Sequence, residues 1–171
     1  MEEASFLPDY RIRLAKGEDD AERAGEIARR AWGQIHKSFR EIMGEDMHDV
    51  LCANWEENKA EQIRAHWRRF PEGLYMVESV ASGRVVAFVT FRVDREKSMG
   101  IIGNNAVDME GQGKGIGTAM YRYILDTFRE RGLRFAEVST GLDEGHAPAR
   151  RAYEKAGFDI RRENVTFYKI L

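Results

Sequence analysis

The sequence predicts one α+β domain, a mixed α/β sandwich in which helices flank a sheet. Three observations carry this reading. The chain has 171 residues, a single-domain length at which roughly 70% of the unfolded surface is buried. No Pro/Gly/Ser-rich linker, repeat or low-complexity tract divides it. The hydrophobic period alternates between strand-like and helix-like along the chain, in the order β, helices, β, β, β, α, β, α, β(β).

Tyr10 to Leu14 alternates apolar and basic residues, the mark of a strand with one buried face. Asp19-Asp20 then opens a run with Ala24, Ile27, Ala28 and Ala31 at helical spacing, closed by Arg29-Arg30 in keeping with the helix dipole. From Gln34 to Phe70 the chain is polar, with Phe39, Met43, Met47, Leu51, Trp55, Ile63 and Trp67 at steps of four or its multiples, which predicts one or two further helices. Leu74 to Ala81, the turn pair Ser82-Gly83 and Val85 to Val93 predict a β-hairpin, and Met99 to Val107 a third strand beside it. Gly115 to Glu130 returns to a helical period, with Gly132 placed as a C′ residue. Leu133 to Thr140 is another strand. Ala149, Ala152, Tyr153 and Ala156 mark a short helix between Pro148 and Gly157. The tail, Phe158 to Leu171, is expected to supply one or two closing strands.

Composition excludes several classes. With 27 Lys+Arg against 29 Asp+Glu the net charge is −2, so bulk charge does not point to nucleic acid or an anionic membrane. The basic run Arg64 to Arg69 sits among Glu56, Glu57 and Glu61 and reads as a solvated helix face. A single Cys forms no intrachain disulfide, no apolar run reaches membrane-span length, and Met1 to Tyr10 has neither basic start nor apolar core. A soluble, cytoplasmic protein is expected, as monomer or homodimer. His36, His48 and His66 read as scattered, with no metal-ligand spacing to Cys52, so no metal is assigned. Cys52 reads as buried filler.

The densest local signal is Gly111-Gln112-Gly113-Lys114-Gly115-Ile116-Gly117, between a predicted strand and a helix. Glycines here either relieve packing or let the backbone approach a ligand, with several N–H groups and a helix N-terminus aimed at one anion. The spacing fits neither G-x-x-x-x-G-K-[ST] nor G-x-G-x-x-G. What remains, Gln112-x-x-Gly115-x-Gly117 after Ala106-Val107-Asp108-Met109, resembles the CoA-pyrophosphate turn of the GNAT superfamily of acyl-CoA-dependent N-acetyltransferases. Met109 stands where that family commonly has Pro. A second block, His146-Ala147-Pro148-Ala149-Arg150-Arg151-Ala152-Tyr153-Glu154-Lys155-Ala156-Gly157-Phe158, matches the family's Asn-x-x-Ala-x-x-x-Tyr-x-Lys-x-Gly-Phe except for His146 at the Asn position.

The resemblance implies a mostly antiparallel central sheet of six to seven strands, splayed at the strand before the turn. It further implies a CoA-binding core over residues 74–171, with residues 17–70 as the acceptor side. By the same resemblance acetyl-CoA is the co-substrate. Gln112, Gly113, Lys114, Gly115, Ile116, Gly117 and Thr118 would hold its pyrophosphate, Ala106 and Val107 its pantetheine arm, and His146 and Ala149 would touch that arm. Tyr153 is implied as the acid that protonates the leaving thiolate, although its spacing also suits ring packing on the buried helix face. An alkylamine is only about 10⁻³ neutral at pH 7, a cost of about 4 kcal/mol, so a base is needed. The resemblance offers Glu137, acting directly or through water; a solvent-facing strand position suits it equally. Asp143 and Glu144 read as turn residues, and Asn104 or Asn105 either faces the acceptor or caps the strand end. Glu41, Glu45 and Asp46 are surface acids that could hold a cationic acceptor. The expected activity is acetyl transfer to a primary amine of a small molecule or a protein or peptide, with no nucleic-acid or membrane partner. The rival reading is a non-catalytic CoA-binding module.

Overall fold

A computed structural model describes residues 6–171; residues 1–5, part of the N-terminal stretch read above, lie outside it. Among the described residues one open sheet runs in the order β1-β2-β3-β4-β5. Its strands are β1 (Tyr10–Leu14), β2 (Leu74–Ser79), β3 (Val85–Asp94), β4 (Met99–Val107) and β5 (Phe135–Val138). Neighbours from β1 to β4 are antiparallel, and β4 pairs with β5 in parallel through the crossover helix α5 (Ile116–Glu130).

The N-terminal half supplies α1 (Glu18–Ala31), α2 (Gly33–Met43), α3 (Glu45–Leu51) and α4 (Trp55–Arg69). Three helices thus follow α1, where the sequence predicted one or two. The chain breaks at Gly44, with φ of 82°, and at Asn54, which is left-handed with φ of 54°; neither conformation continues a helix. α1 and α4 approach closely because Gly25 faces Ala60: a Cβ at Gly25 would stand 3.0 Å from that of Ala60. The basic run on α4 is internally paired, with Arg64 on Glu22, Glu57 and Glu61 and Arg68 on Glu18 and Glu61.

The sheet separates two apolar clusters. On one face Ala24, Ile27 and Ala28 of α1 and Ile63 of α4 cover Leu74, Met76, Phe88 and Ala106. On the other, Ile116, Met120, Ile124 and Phe128 of α5 and Tyr153 of α6 (Ala147–Ala156) cover Val77, Val89, Phe91 and Ile102.

The closing strands expected from Phe158 to Leu171 do not form. The sheet has five strands, not six or seven, and residues 158–171 pair with no strand. Phe158 packs against the Tyr153 ring, but Ile160, Phe167 and Ile170 are exposed. β-branched and aromatic composition gives strand propensity only where a neighbouring edge supplies the ladder, and the outer edge of β5 stays open here. β5 is also shorter than the predicted Leu133 to Thr140.

One buried ion pair ties the helical layer to the turn after β4. Asp108 is 5% exposed and accepts from Arg23 at 2.9 Å, Arg30 at 2.7 Å and the Met109 N–H at 2.9 Å. Burial alone would push its carboxyl up; the guanidiniums and the backbone donor outweigh it and hold the pKa below the usual aspartate value. A depressed folded pKa means the carboxylate stabilises the fold above its unfolded pKa and loses that contribution as pH falls. Asp108→Asn is expected to lower stability by about 2 kcal/mol at pH 7. In urea melts the gap to wild type should close as pH drops below about 4.

Candidate functional site

The site is built on an irregularity in β4. Val89 pairs with Asn105 but Phe91 pairs with Ile102, so β4 carries one extra residue opposite Thr90. Gly103 sits in this bulge, where a Cβ would lie 2.8 Å from the Thr90 hydroxyl. The extra residue reverses the alternation of faces. Ile102 faces α5 and, beyond the bulge, so does Asn105, while Ala106 turns to the α1 side.

Asn105 therefore meets two tyrosines. The Tyr121 hydroxyl donates to Asn105 Oδ1 at 2.6 Å, and Asn105 Nδ2 donates to the Tyr153 hydroxyl at 3.0 Å and to the Gly103 carbonyl at 2.9 Å. Burial pushes both phenols above their ordinary pKa; for Tyr153 the hydrogen bonds to Asn105 and Tyr121 offset part of this. Tyr153 thus stays protonated at neutral pH, held by a donor at its oxygen and able to give up its own proton.

β4 and β5 stay paired only from Met99↔Phe135 to Ile102↔Val138. From Gly103 to Val107 the β5 side of β4 is unpaired, and a cleft of about 860 Å³ opens there. One end of it is the glycine turn. Gly113 and Gly115 have φ of 76° and 79°, and a Cβ at either would meet nothing within 4 Å. The left-handed backbone aims the turn at the first turn of α5, whose leading N–H groups have no carbonyl within the helix to bind. Gly111 serves packing instead, since its Cβ would stand 3.0 Å from Ile116 and Val107 side chains.

Of the residues singled out in the sequence, Ala106, Val107, Gln112, Gly113, Gly115, Ile116, Gly117, Thr118, His146, Ala149 and Tyr153 all line this cleft. Lys114 is exposed and does not line it. Glu137 is exposed on β5, level with Ile101 of β4, and is not brought to the cleft either. His146 is, and it is oriented from behind: its Nδ1 lies 2.6 Å from Asp143 Oδ2, a carboxylate only 7% exposed. Arg150 clamps that loop through the Gly141 and Asp143 carbonyls, each at 2.7 Å, and the Gly145 N–H donates to Ser38 Oγ of α2 at 3.0 Å. Asp143, read as a turn residue, is thus largely out of solvent and stands behind His146, without lining the cleft itself.

At the other end the cleft meets the helical layer. Lys59 of α4 reaches Asn104 Oδ1 at 3.2 Å and lies over the Trp32 ring at 4.8 Å. Its ammonium has no carboxylate partner among the described residues, and burial pushes its pKa down. Tyr121, Trp32 and Lys59 were not singled out by sequence reasoning as site residues. Tyr121 falls at apolar helical spacing and Lys59 in a charged helix, so neither carries a local signal. Two of the three histidines read as scattered are not: His36, His48 and Cys52 come together, outside the cleft, while His66 stays apart by the Gly73 and Phe91 carbonyls.

A sequence profile of the Acetyltransferase (GNAT) family matches residues 36–158. S-(2-succino)cysteine N-acetyltransferase of Bacillus subtilis (strain 168) is 27% identical over 173 residues, covering 94% of this chain and 93% of that protein. PaiA N-acetyltransferase from Thermoplasma acidophilum, solved in complex with coenzyme A, superposes with a TM-score of 0.67 at 16% identity, over 91% of this chain and 92% of that one. The ribosomal-protein-S18-alanine N-acetyltransferase from Escherichia coli gives a TM-score of 0.57 at 20% identity, over 90% and 79%. The two solved structures bear on the fold alone. The chain belongs to the GNAT acetyltransferase family and is an acyltransferase. Gly115→Val forces a β-branched residue to a positive φ at the cradle. Losing one hydrogen bond of about 1.5 kcal/mol there corresponds to a CoA Kd about tenfold higher by calorimetry.

Proposed function

We propose that this GNAT-family chain transfers the acetyl group of acetyl-CoA to the primary amine of a small molecule that also carries a carboxylate, by direct attack on the thioester. The observation that supports it best is one continuous cleft. It joins a glycine turn suited to an anion, an unpaired strand edge with the Asn105-held Tyr153 hydroxyl, and a half-buried cation without a counter-ion.

The residues divide the work as follows. The amides of residues 113–118 and the α5 N-terminus hold the pyrophosphate without requiring basic side chains. The free edge of β4 at Ala106 and Val107 offers backbone groups to the pantetheine arm and to the thioester oxygen. Attack forms a C–N bond and breaks the C–S bond. The departing sulfur takes the Tyr153 proton, and the proton of the amine goes to His146, whose ring is held by Asp143. Lys59 binds the acceptor carboxylate: a half-buried ammonium without a partner is costly, and an anionic substrate relieves that cost. The Bacillus relative, named for an S-succinylated cysteine, agrees in the charge of its acceptor.

Replacing the phenol oxygen by Tyr153→Phe is expected to lower kcat about a hundredfold, with CoA affinity unchanged in calorimetry. Should kcat hold, Tyr153 is only a packing residue. Lys59→Met should raise KM for amino-acid acceptors about tenfold, the loss of one charged hydrogen bond. KM for amines without a carboxylate should not move; an equal rise for both classes would remove Lys59 as the carboxylate ligand.

A further inference from the structure

On the far side of α2 from the cleft loop, three ligand-type side chains converge that acetyl transfer does not use. His36 of α2 and His48 of α3 are both buried, and Cys52 caps the end of α3 one turn beyond His48. One ligand atom from each lies within 4.8 Å of the others. From these we propose that the chain binds one thiophilic divalent ion, of which Zn²⁺ is the type, through His36 Nδ1, His48 Nε2 and Cys52 Sγ.

Several independent features of the cluster fit an ion. Two nitrogens on a tetrahedral zinc at about 2.05 Å lie roughly 3.3 Å apart, and His36 Nδ1 and His48 Nε2 stand at 3.1 Å. Entry of the ion needs only a small opening of that pair and a rotation of the Cys52 side chain. Without an ion one of the two nitrogens must carry the shared hydrogen. Ligation moves that one hydrogen to the other nitrogen of its own ring, leaves the second ring's proton where it already is, and releases the Cys52 thiol proton to solvent.

The surrounding shell is already in place. His48 Nδ1 lies 3.3 Å from Asp49 Oδ1, so this ring can donate to a carboxylate while Nε2 ligates, the arrangement that fixes a metal-bound imidazole. Trp55 stacks on His36 with centroids 4.0 Å apart and holds that ring's plane. A cavity of about 430 Å³, lined by His48, Asp49, Cys52 and Glu56 among others, reaches the cluster and leaves room for a water as fourth ligand. The opposing charges are Arg40, 3.8 Å from Asp49 and 3.2 Å from Glu45, and Lys59. The thiolate and Asp49 counter them.

The consequence for the fold is local. α2 and α3 are joined through Gly44 and meet little of the sheet, and the ion would clip them together. The neighbouring residue Ile35 lines the acyl-transfer cleft, so the clip also steadies that wall.

The test uses the full chain, stripped with a chelator and given one equivalent of Zn²⁺. One zinc per chain retained through gel filtration and a raised Tm are expected, together with a thiolate-to-metal charge-transfer band when Co²⁺ replaces Zn²⁺. Cys52→Ser should abolish the band and His36→Gln the retention, each with CoA affinity intact as a check on folding. Asp49→Ala, at an exposed position, keeps the ligands and should weaken zinc about tenfold or more. Wild type retaining no zinc overturns the proposal, and so does a Cys52→Ser/His36→Gln double variant that retains as much as wild type.

Discussion

One extra residue in β4 decides where the functional groups go. In a regular strand Ile102, Asn104 and Ala106 would share a face, and Asn105 would point at the α1–α4 layer. The bulge opposite Thr90 turns Asn105 to the α5–α6 face, where Tyr121 and Tyr153 wait, and gives Ala106 to the opposite cluster. The same irregularity lies where the β4–β5 ladder ends, so the unpaired edge and the tyrosine hydroxyl open into one cleft. Asp108 anchors the far end of this strand through Arg23 and Arg30, which fixes where the glycine turn begins.

Charge is used sparingly along the cleft. At the proposed phosphate end oriented amides stand in for basic side chains, which is how a near-neutral protein would hold a polyanion. Tyr153 is kept protonated by burial while Asn105 orients it, and His146 is oriented by a carboxylate out of solvent. Arg151 and Lys155 also border the cleft, and Lys59 is the cation at its helical end, with Asn104, Gln62 and the Trp32 face as its neighbours. Groups arranged in this way bind and orient reactants before any proton moves.

Local signals were legible in the sequence and distant ones were not. The strand Tyr10–Leu14, the hairpin at Ser82-Gly83, α5 with its glycine turn and α6 between Pro148 and Gly157 all follow from period and turn chemistry. So does the need for glycine at 113 and 115, where φ is positive. The β4 bulge left only Gly103 as a trace, and a glycine within a strand has several explanations. Tyr121 carries no local signal beyond its place in a helix, yet it is buried in the core and its hydroxyl sets the Asn105 amide. His36 and His48 are twelve residues apart and meet only because Gly44 and a second short helix fold them back. The closing strands expected over residues 158–171 do not form, because strand-like composition does not make a strand unless the segment lies against an open edge, and this one lies against none.

The separation of the two apolar clusters by the sheet bears on how such a protein can change over time. Substitutions at the apolar positions of α1–α4 repack one cluster and leave the other, with its tyrosines, untouched, while Arg23 and Arg30 of α1 must stay to hold Asp108 before the glycine turn. On the proposed function the reacting Tyr153 and the acceptor-binding Lys59 belong to opposite layers, so chemistry and choice of acceptor would be free to drift at different rates. The same frame is shared with the Thermoplasma structure at only 16% identity, so the sheet between two independent cores tolerates wide change in sequence.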